Sequence, residues 1–206
     1  MDDLSGWLDA WLPEDAALTA ARSRAAEVGV PCVDPVTGSL LRVLAATAAA
    51  KAVVELGTGA GVSGMWLLRG MTAEGVLTSV DPETEHQRLA KQSLNEAGYG
   101  SGRVRLISGE ALNVLPRLSD GAYDLVFCDA VRSENLDYLQ ASLRLLRPGG
   151  LVVFAGATAN GRVSDPTARD TEAVAVRELA KAVREEERLT PALLPVGSGL
   201  LVAVVS

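Results

Sequence analysis

The chain has 206 residues, 48% of them apolar and only 4% aromatic, and a formal net charge of -7. That length fits one domain whose core is mostly Ala, Leu and Val. The acidic balance, the absence of a basic stripe and the scarcity of rings for base stacking exclude a nucleic-acid partner and favour a neutral or cationic ligand. Cys32 and Cys128 lie far apart and suggest no disulfide framework, and the apolar run around Cys128 predicts a buried thiol. The N-terminal stretch MDDLSGWLDAW lacks the basic-then-apolar order of a signal peptide. No apolar run approaches the roughly 20 residues of a membrane span. These features predict a soluble, reduced, cytoplasmic protein with no membrane attachment.

A helix is predicted over residues 13–29, with Pro and acids at its start and Gly at its end. After the loop VPCVDPVTG, a second helix is predicted over 39–50, capped by Ser39. Strands and helices then alternate. Strands are predicted at 51–56, 75–80, 103–107, 123–130 and 150–156, and helices at 62–71, 82–98, 110–118 and 134–146. Such alternation implies a parallel sheet covered on both faces, with right-handed crossovers. A long helix at 169–188 has one wet face, and the segments 188–194 and 199–206 form an antiparallel pair that closes the sheet. There are no repeats or linkers, so residues 1–206 read as a single domain, with N-terminal helices over 1–50 and an α/β core over 51–206.

The stretch VVELGTGAGVSG, residues 53–64, decides between ligands. It contains G-x-G-x-x-G in Gly59, Gly61 and Gly64, but that match begins three residues beyond Leu56. A match starting at Gly57 fails at Val62. A dinucleotide fold wants the code directly after the first strand. Glu55 ends that strand, where ligands of such sheets bind. A carboxylate there repels a pyrophosphate and suits a ligand with an ammonium and a sulfonium, as in S-adenosylmethionine. Alternatively, Glu55 only caps backbone donors and the glycines only turn the chain.

Asp81 ends the second strand and is placed to accept both ribose hydroxyls. Alternatively, Asp81 and Pro82 form the N-cap and first position of a helix. Glu110 follows the third strand and either accepts from an adenine amino group or serves as a first-turn acid. Ser63 begins the helix after the glycine loop, where its hydroxyl and the nearby N–H groups suit a carboxylate; serine at a helix start is also common.

The stretches ELGTGAGVS, SVDPE, SGEAL, YDLVFCDA and LLRPGG occur in the order and spacing of S-adenosylmethionine-dependent methyltransferases. From about Val33 to the C-terminus the chain most resembles the catechol and caffeoyl-CoA O-methyltransferase group, in particular its actinobacterial-type members. The resemblance implies a doubly wound, Rossmann-like sheet of seven strands with an antiparallel C-terminal hairpin. It also implies cofactor contacts. Glu55 would meet the methionine amino end, Gly57 and Thr58 would line the loop, and Ser63 would meet the methionine carboxylate. Asp81 would hold the ribose, Pro82 would lie beside the adenine and Glu110 near its amino group. Val33 would touch the methionine through its backbone. In similar proteins the N-terminal helices cover the pocket or form a homodimer face.

Catalysis in that group usually uses a divalent cation held by three side chains. Asp129, in DAVR, matches the first; the other two positions fall on Ala155 and Gly156, which offer no ligand. A single carboxylate is a thin donor set for Mg²⁺, so no constitutive metal is expected; Asn160 and Asp165 are further donors of unknown distance. The family's lysine is Arg132 here. Because Arg stays protonated it is a poor general base, but it can orient an anionic acceptor or stabilise developing charge; a surface salt bridge is the alternative. Asp129 either takes a hydroxyl proton and positions the acceptor, or only shapes the pocket. His86, the single histidine, is read as part of a solvated helix face. The expected activity is methyl transfer to oxygen of a small hydroxylated or phenolic acceptor. The alternatives are an S-adenosylmethionine-binding sensor with little turnover and, less favoured by Glu55 and the late glycines, a nicotinamide dehydrogenase.

Overall fold

The computed structural model describes residues 2–206. Its strands are β1 (Ala52–Leu56), β2 (Val76–Asp81), β3 (Val104–Ser108), β4 (Tyr123–Cys128), β5 (Leu146–Ala155), β6 (Leu189–Leu194) and β7 (Leu200–Val205). They form one sheet in the order β3-β2-β1-β4-β5-β7-β6. The first five run parallel, while β7 lies antiparallel to both β5 and β6. This is the expected seven-stranded, Rossmann-like α/β sheet with its closing hairpin. Strand β5 begins four residues earlier than read, because Leu146 pairs with Tyr123 before a register shift leads into the main ladder.

The helices are α1 (Asp2–Trp11), α2 (Ala16–Glu27), α3 (Pro35–Thr47), α4 (Val62–Gly70), α5 (Thr84–Glu96), α6 (Ala111–Val114), α7 (Asn135–Leu145) and α8 (Thr171–Glu185). Helix α1 was not foreseen. Helix α3 starts before the expected cap: Asp34, not Ser39, accepts from the Thr37 N–H at 2.9 Å, and Pro35 follows it at the first helical position. Ser39 lies inside the helix and donates back to the Val36 carbonyl. Helix α2 begins after Asp15, whose carboxylate accepts from Leu18 N–H.

Alternation along the central strands sends successive side chains to opposite faces. Val53, Phe127 and Val153 pack with Met65, Trp66 and Leu67 of α4. Val54, Val126, Val152 and Phe154 pack on the other face with Tyr138, Leu139 and Leu179 of α7 and α8. Both faces being covered explains why these strands read as nearly continuous apolar runs. Cys128 is buried, as expected; burial pushes its thiol up, out of the reactive range. Among the described residues no helix is long and apolar enough to cross a membrane.

Candidate active site

β1 lies between β2 and β4, so the chain leaves the sheet in opposite directions on its two sides, and a crevice opens at the carboxyl ends of these strands. Its lining includes Val33, Gly57, Thr58, Ser63, Asp81 and Asp129, all drawn from the residues singled out in the sequence. The segment Val30–Val33 between α2 and α3 closes one side.

The loop after β1 has almost no room. Gly57 has φ +92°, and a Cβ there would stand 2.1 Å from the Asp129 carbonyl oxygen. Asp129 N–H in turn donates to Leu56, and Gly57 N–H to Val80. The loops after β1 and β4 are thus pressed together, which puts Asp129 at the crevice wall. The loop ends on Gly61 (φ +87°), which begins α4 without a side-chain cap. Early N–H groups of α4 are therefore left to face the crevice, an arrangement suited to an anionic group.

Asp81 ties this loop to β2. One carboxylate oxygen accepts from Gly59 N–H at 3.0 Å, the other from Glu83 N–H at 2.9 Å. It is not a helix cap: Glu83 stands at that position of α5, and Pro82 precedes the helix. His86, read from sequence as solvated, lies in the lining with Nδ1 3.1 Å from Asp81. Its position five residues beyond a strand-end acid, just inside the helix that turns back over the sheet, was the available signal.

Glu55 departs from expectation. It is wholly buried and does not line the crevice. Ser63 and Ser79 hydroxyls each donate to it at 2.6 Å. An ionisable carboxylate in the core without such partners is costly, and the two serines turn it inward. Ser63 is therefore its link to the crevice. Because the Ser63 proton is committed to Glu55, an anion would be met there by backbone N–H groups, and the serine oxygen is left to accept. Thr58 is likewise committed, hydrogen-bonded to Ser79 and accepting from Gln87. Pro82 and Glu110 are exposed and lie outside the lining.

Burial pushes the Glu55 carboxyl up to about 7; the hydroxyls of Ser63 and Ser79 oppose this, and the charges of Asp129 and Asp81 add to it. An unfolded chain releases the proton near 4.5, the folded chain near 7. The stability of the neutral form is thus complete below the first value and is lost as pH rises through the second. Glu55→Gln is expected to flatten that decline, measured as urea midpoints at steps between these two values. An unchanged slope would show that Glu55 does not carry it.

Asp129 is half-buried, and burial raises its carboxyl, with Arg132 opposing. Arg132 lies outside the crevice lining, with Nε 3.1 Å from Glu172. The salt bridge weighed from sequence is therefore present. Ala155 and Gly156 are buried at the end of β5 and bring no donor side chain to Asp129. Asp165 is exposed and accepts locally from Thr167, and Asn160 is exposed in the 159–164 turn. Among the described residues, no group of three or more His, Cys, Asp or Glu side chains could hold a metal ion.

Residues 11–205 match the model of a family described as O-methyltransferase. The chain belongs to the O-methyltransferase family. A candidate O-methyltransferase of Mycolicibacterium vanbaalenii is 55% identical over 192 residues, covering 93% of this chain and 85% of the relative. Two solved O-methyltransferases share the fold. The enzyme from Bacillus cereus, in complex with SAH, is 27% identical with a TM-score of 0.91, covering 99% of this chain and 97% of that one. The enzyme TomG from Streptomyces achromogenes, in complex with SAM and involved in tomaymycin synthesis, is 30% identical with a TM-score of 0.91, covering 99% and 96%. For an O-methyltransferase, a crevice at the ends of β1, β2 and β4 is the place to look for both reactants. Family membership also favours turnover over the binding-only reading.

Proposed function

We propose that this O-methyltransferase uses S-adenosylmethionine to methylate an oxygen of a small hydroxylated or phenolic acceptor, without a resident metal. One observation carries the reading: the crevice joins the open N-terminus of α4 to a buried carboxylate, Glu55, through Ser63. That pairing suits a zwitterion, with a carboxylate on the helix end and an ammonium near Ser63 and Glu55. The nearby carboxylates of Asp81 and Asp129 disfavour a diphosphate.

In this reading Val33, Gly57 and Thr58 shape the methionine end through backbone and loop surface. Asp81 holds the ribose hydroxyls with the lone pairs left by Gly59 and Glu83. Pro82 and Glu110 flank the adenine. The cofactor supplies an electrophilic methyl carbon. Asp129 accepts the acceptor's hydroxyl proton, and its raised carboxyl makes it a better base than an ordinary aspartate once ionised. Arg132 steadies negative charge nearby. The rest of the work is alignment of acceptor and methyl group. A divalent ion does not fit the donor set: among the described residues Asp129 belongs to no group of three metal-binding side chains, and positions 155 and 156 carry no side-chain ligand atoms.

Methyl transfer to a panel of phenols and catechols, with Mg²⁺ or with chelator, tests this reading. Equal turnover in both is expected, and loss of all turnover in chelator would contradict it. Asp81→Ala is expected to weaken cofactor binding by about 1–3 kcal/mol, measured by calorimetry beside an unfolding curve. Unchanged affinity would leave Asp81 with only its loop-holding role. We also place the protein in the cytoplasm, a reading supported by the free thiols of Cys32 and Cys128. A homodimer is supported by Trp7 and Trp11, which expose much of their apolar surface on α1.

A further inference from the structure

Arg132 follows β4 in a short turn, residues 132–134, and its guanidinium lies against the end of β5. A Cβ on Gly156 would fall 2.2 Å from its Nη2, 2.4 Å from Nε and 2.6 Å from Cζ. Gly156 also has φ +70°, which disfavours any side chain. The guanidinium therefore fills the volume that a side chain at 156 would need.

Its charge is poorly satisfied. Nε is buried and has no aligned hydrogen-bond acceptor, although Glu172 Oε1 lies 3.1 Å away. The two facts agree if the ion pair is close but off the N–H axis, a weak geometry. Glu172 is also shared, because Arg162 donates to its other oxygen. One carboxylate thus serves two guanidinium groups. Although outside the crevice lining, the Arg132 charge reaches Asp129, whose carboxyl accepts no hydrogen bond from the described residues.

Resting on the cofactor reading above, we propose that Arg132, seated over Gly156, is a built-in cation that binds a carboxylate of the acceptor while Asp129 faces its hydroxyl, so that the acceptors are small hydroxycarboxylates. The planar guanidinium offers a fork of N–H donors that matches a carboxylate, and its charge is permanent. About a third of the Arg132 side chain stays exposed, so an incoming carboxylate would meet the guanidinium from its open side while buried Nε stays beside Glu172. A fixed cation here also repels a divalent ion from Asp129, which links acceptor choice to the missing metal ligands.

The test is calorimetry on protein loaded with S-adenosylhomocysteine, titrated with dihydroxybenzoate and with the matching uncharged dihydroxybenzamide. The acid is expected to bind about tenfold or more tighter than the amide. Arg132→Met should erase the difference, and Arg132→Lys should restore part of it. Gly156→Ala should also erase it, by displacing the guanidinium without removing it. Heat from S-adenosylhomocysteine itself reports folding in each variant. Equal binding of acid and amide, no binding of either, or an acid preference that survives Arg132→Met would overturn the proposal while leaving the cofactor reading in place. Failure of S-adenosylhomocysteine to bind the wild-type protein would overturn both.

Discussion

Asp129→Asn is expected to lower kcat by about 10²–10⁴-fold while cofactor binding persists, the range attributed to a positioned acid or base. Two carboxylates line the crevice and a third, Glu55, is buried behind Ser63; of the three, two are occupied. Glu55 accepts from Ser63 and Ser79, and Asp81 accepts from Gly59 and Glu83. Asp129 is held in place by its backbone, through its N–H to Leu56 and its carbonyl against Gly57, and its side chain is left free to act. Asn keeps the shape and removes the basicity. Single-turnover methyl transfer beside calorimetry separates the two effects, and an undiminished rate would reduce Asp129 to a wall residue. Since burial raises this carboxyl, the wild-type rate should climb with pH as it ionises, and the Asn variant should lose that limb.

Gly57→Ala should be the most damaging change in the loop. It combines a positive φ with a Cβ 2.1 Å from a backbone carbonyl, an atom that cannot swing aside. Left-handed backbone costs about 1–2 kcal/mol and overpacking about 1–3 kcal/mol, so a loss of about 2–5 kcal/mol is expected, together with cofactor binding. Gly59→Ala is the control. Its φ is +50°, but a Cβ there meets only the Val30 side chain at 3.4 Å, so only the backbone term applies. Denaturation curves for the pair measure the contrast. Equal stabilities would show that the β1 and β4 loops are not pressed together as described.

The central strands were legible because they are covered on both faces. Runs such as KAVVEL and YDLVFC have no other stable home than a parallel sheet. Acids at strand ends were legible for a related reason, since the carboxyl edge of such a sheet is where a ligand can sit. What escaped the sequence was in part a local signal misread and in part atoms brought together from afar. Helix α1 escaped because Pro13, which lies two residues past its end, was taken as the start of the next helix. The cap at Asp34 was a local pattern passed over: Pro35 follows it, and both the N–H and the hydroxyl of Thr37 donate to its carboxylate. Glu55 was expected at the ligand, but the hydroxyls of Ser63 and Ser79, 8 and 24 residues away, hold it in the core. Arg132, Gly156 and Glu172 meet across three separate elements, so their arrangement leaves no local pattern to read.

The direct test of the whole account is calorimetry of the purified protein with S-adenosylmethionine, S-adenosylhomocysteine and NAD. Heat from the first two and none from NAD is the predicted result. Selective heat from NAD would contradict it, because a diphosphate would then occupy a crevice lined by the carboxylates of Asp81 and Asp129.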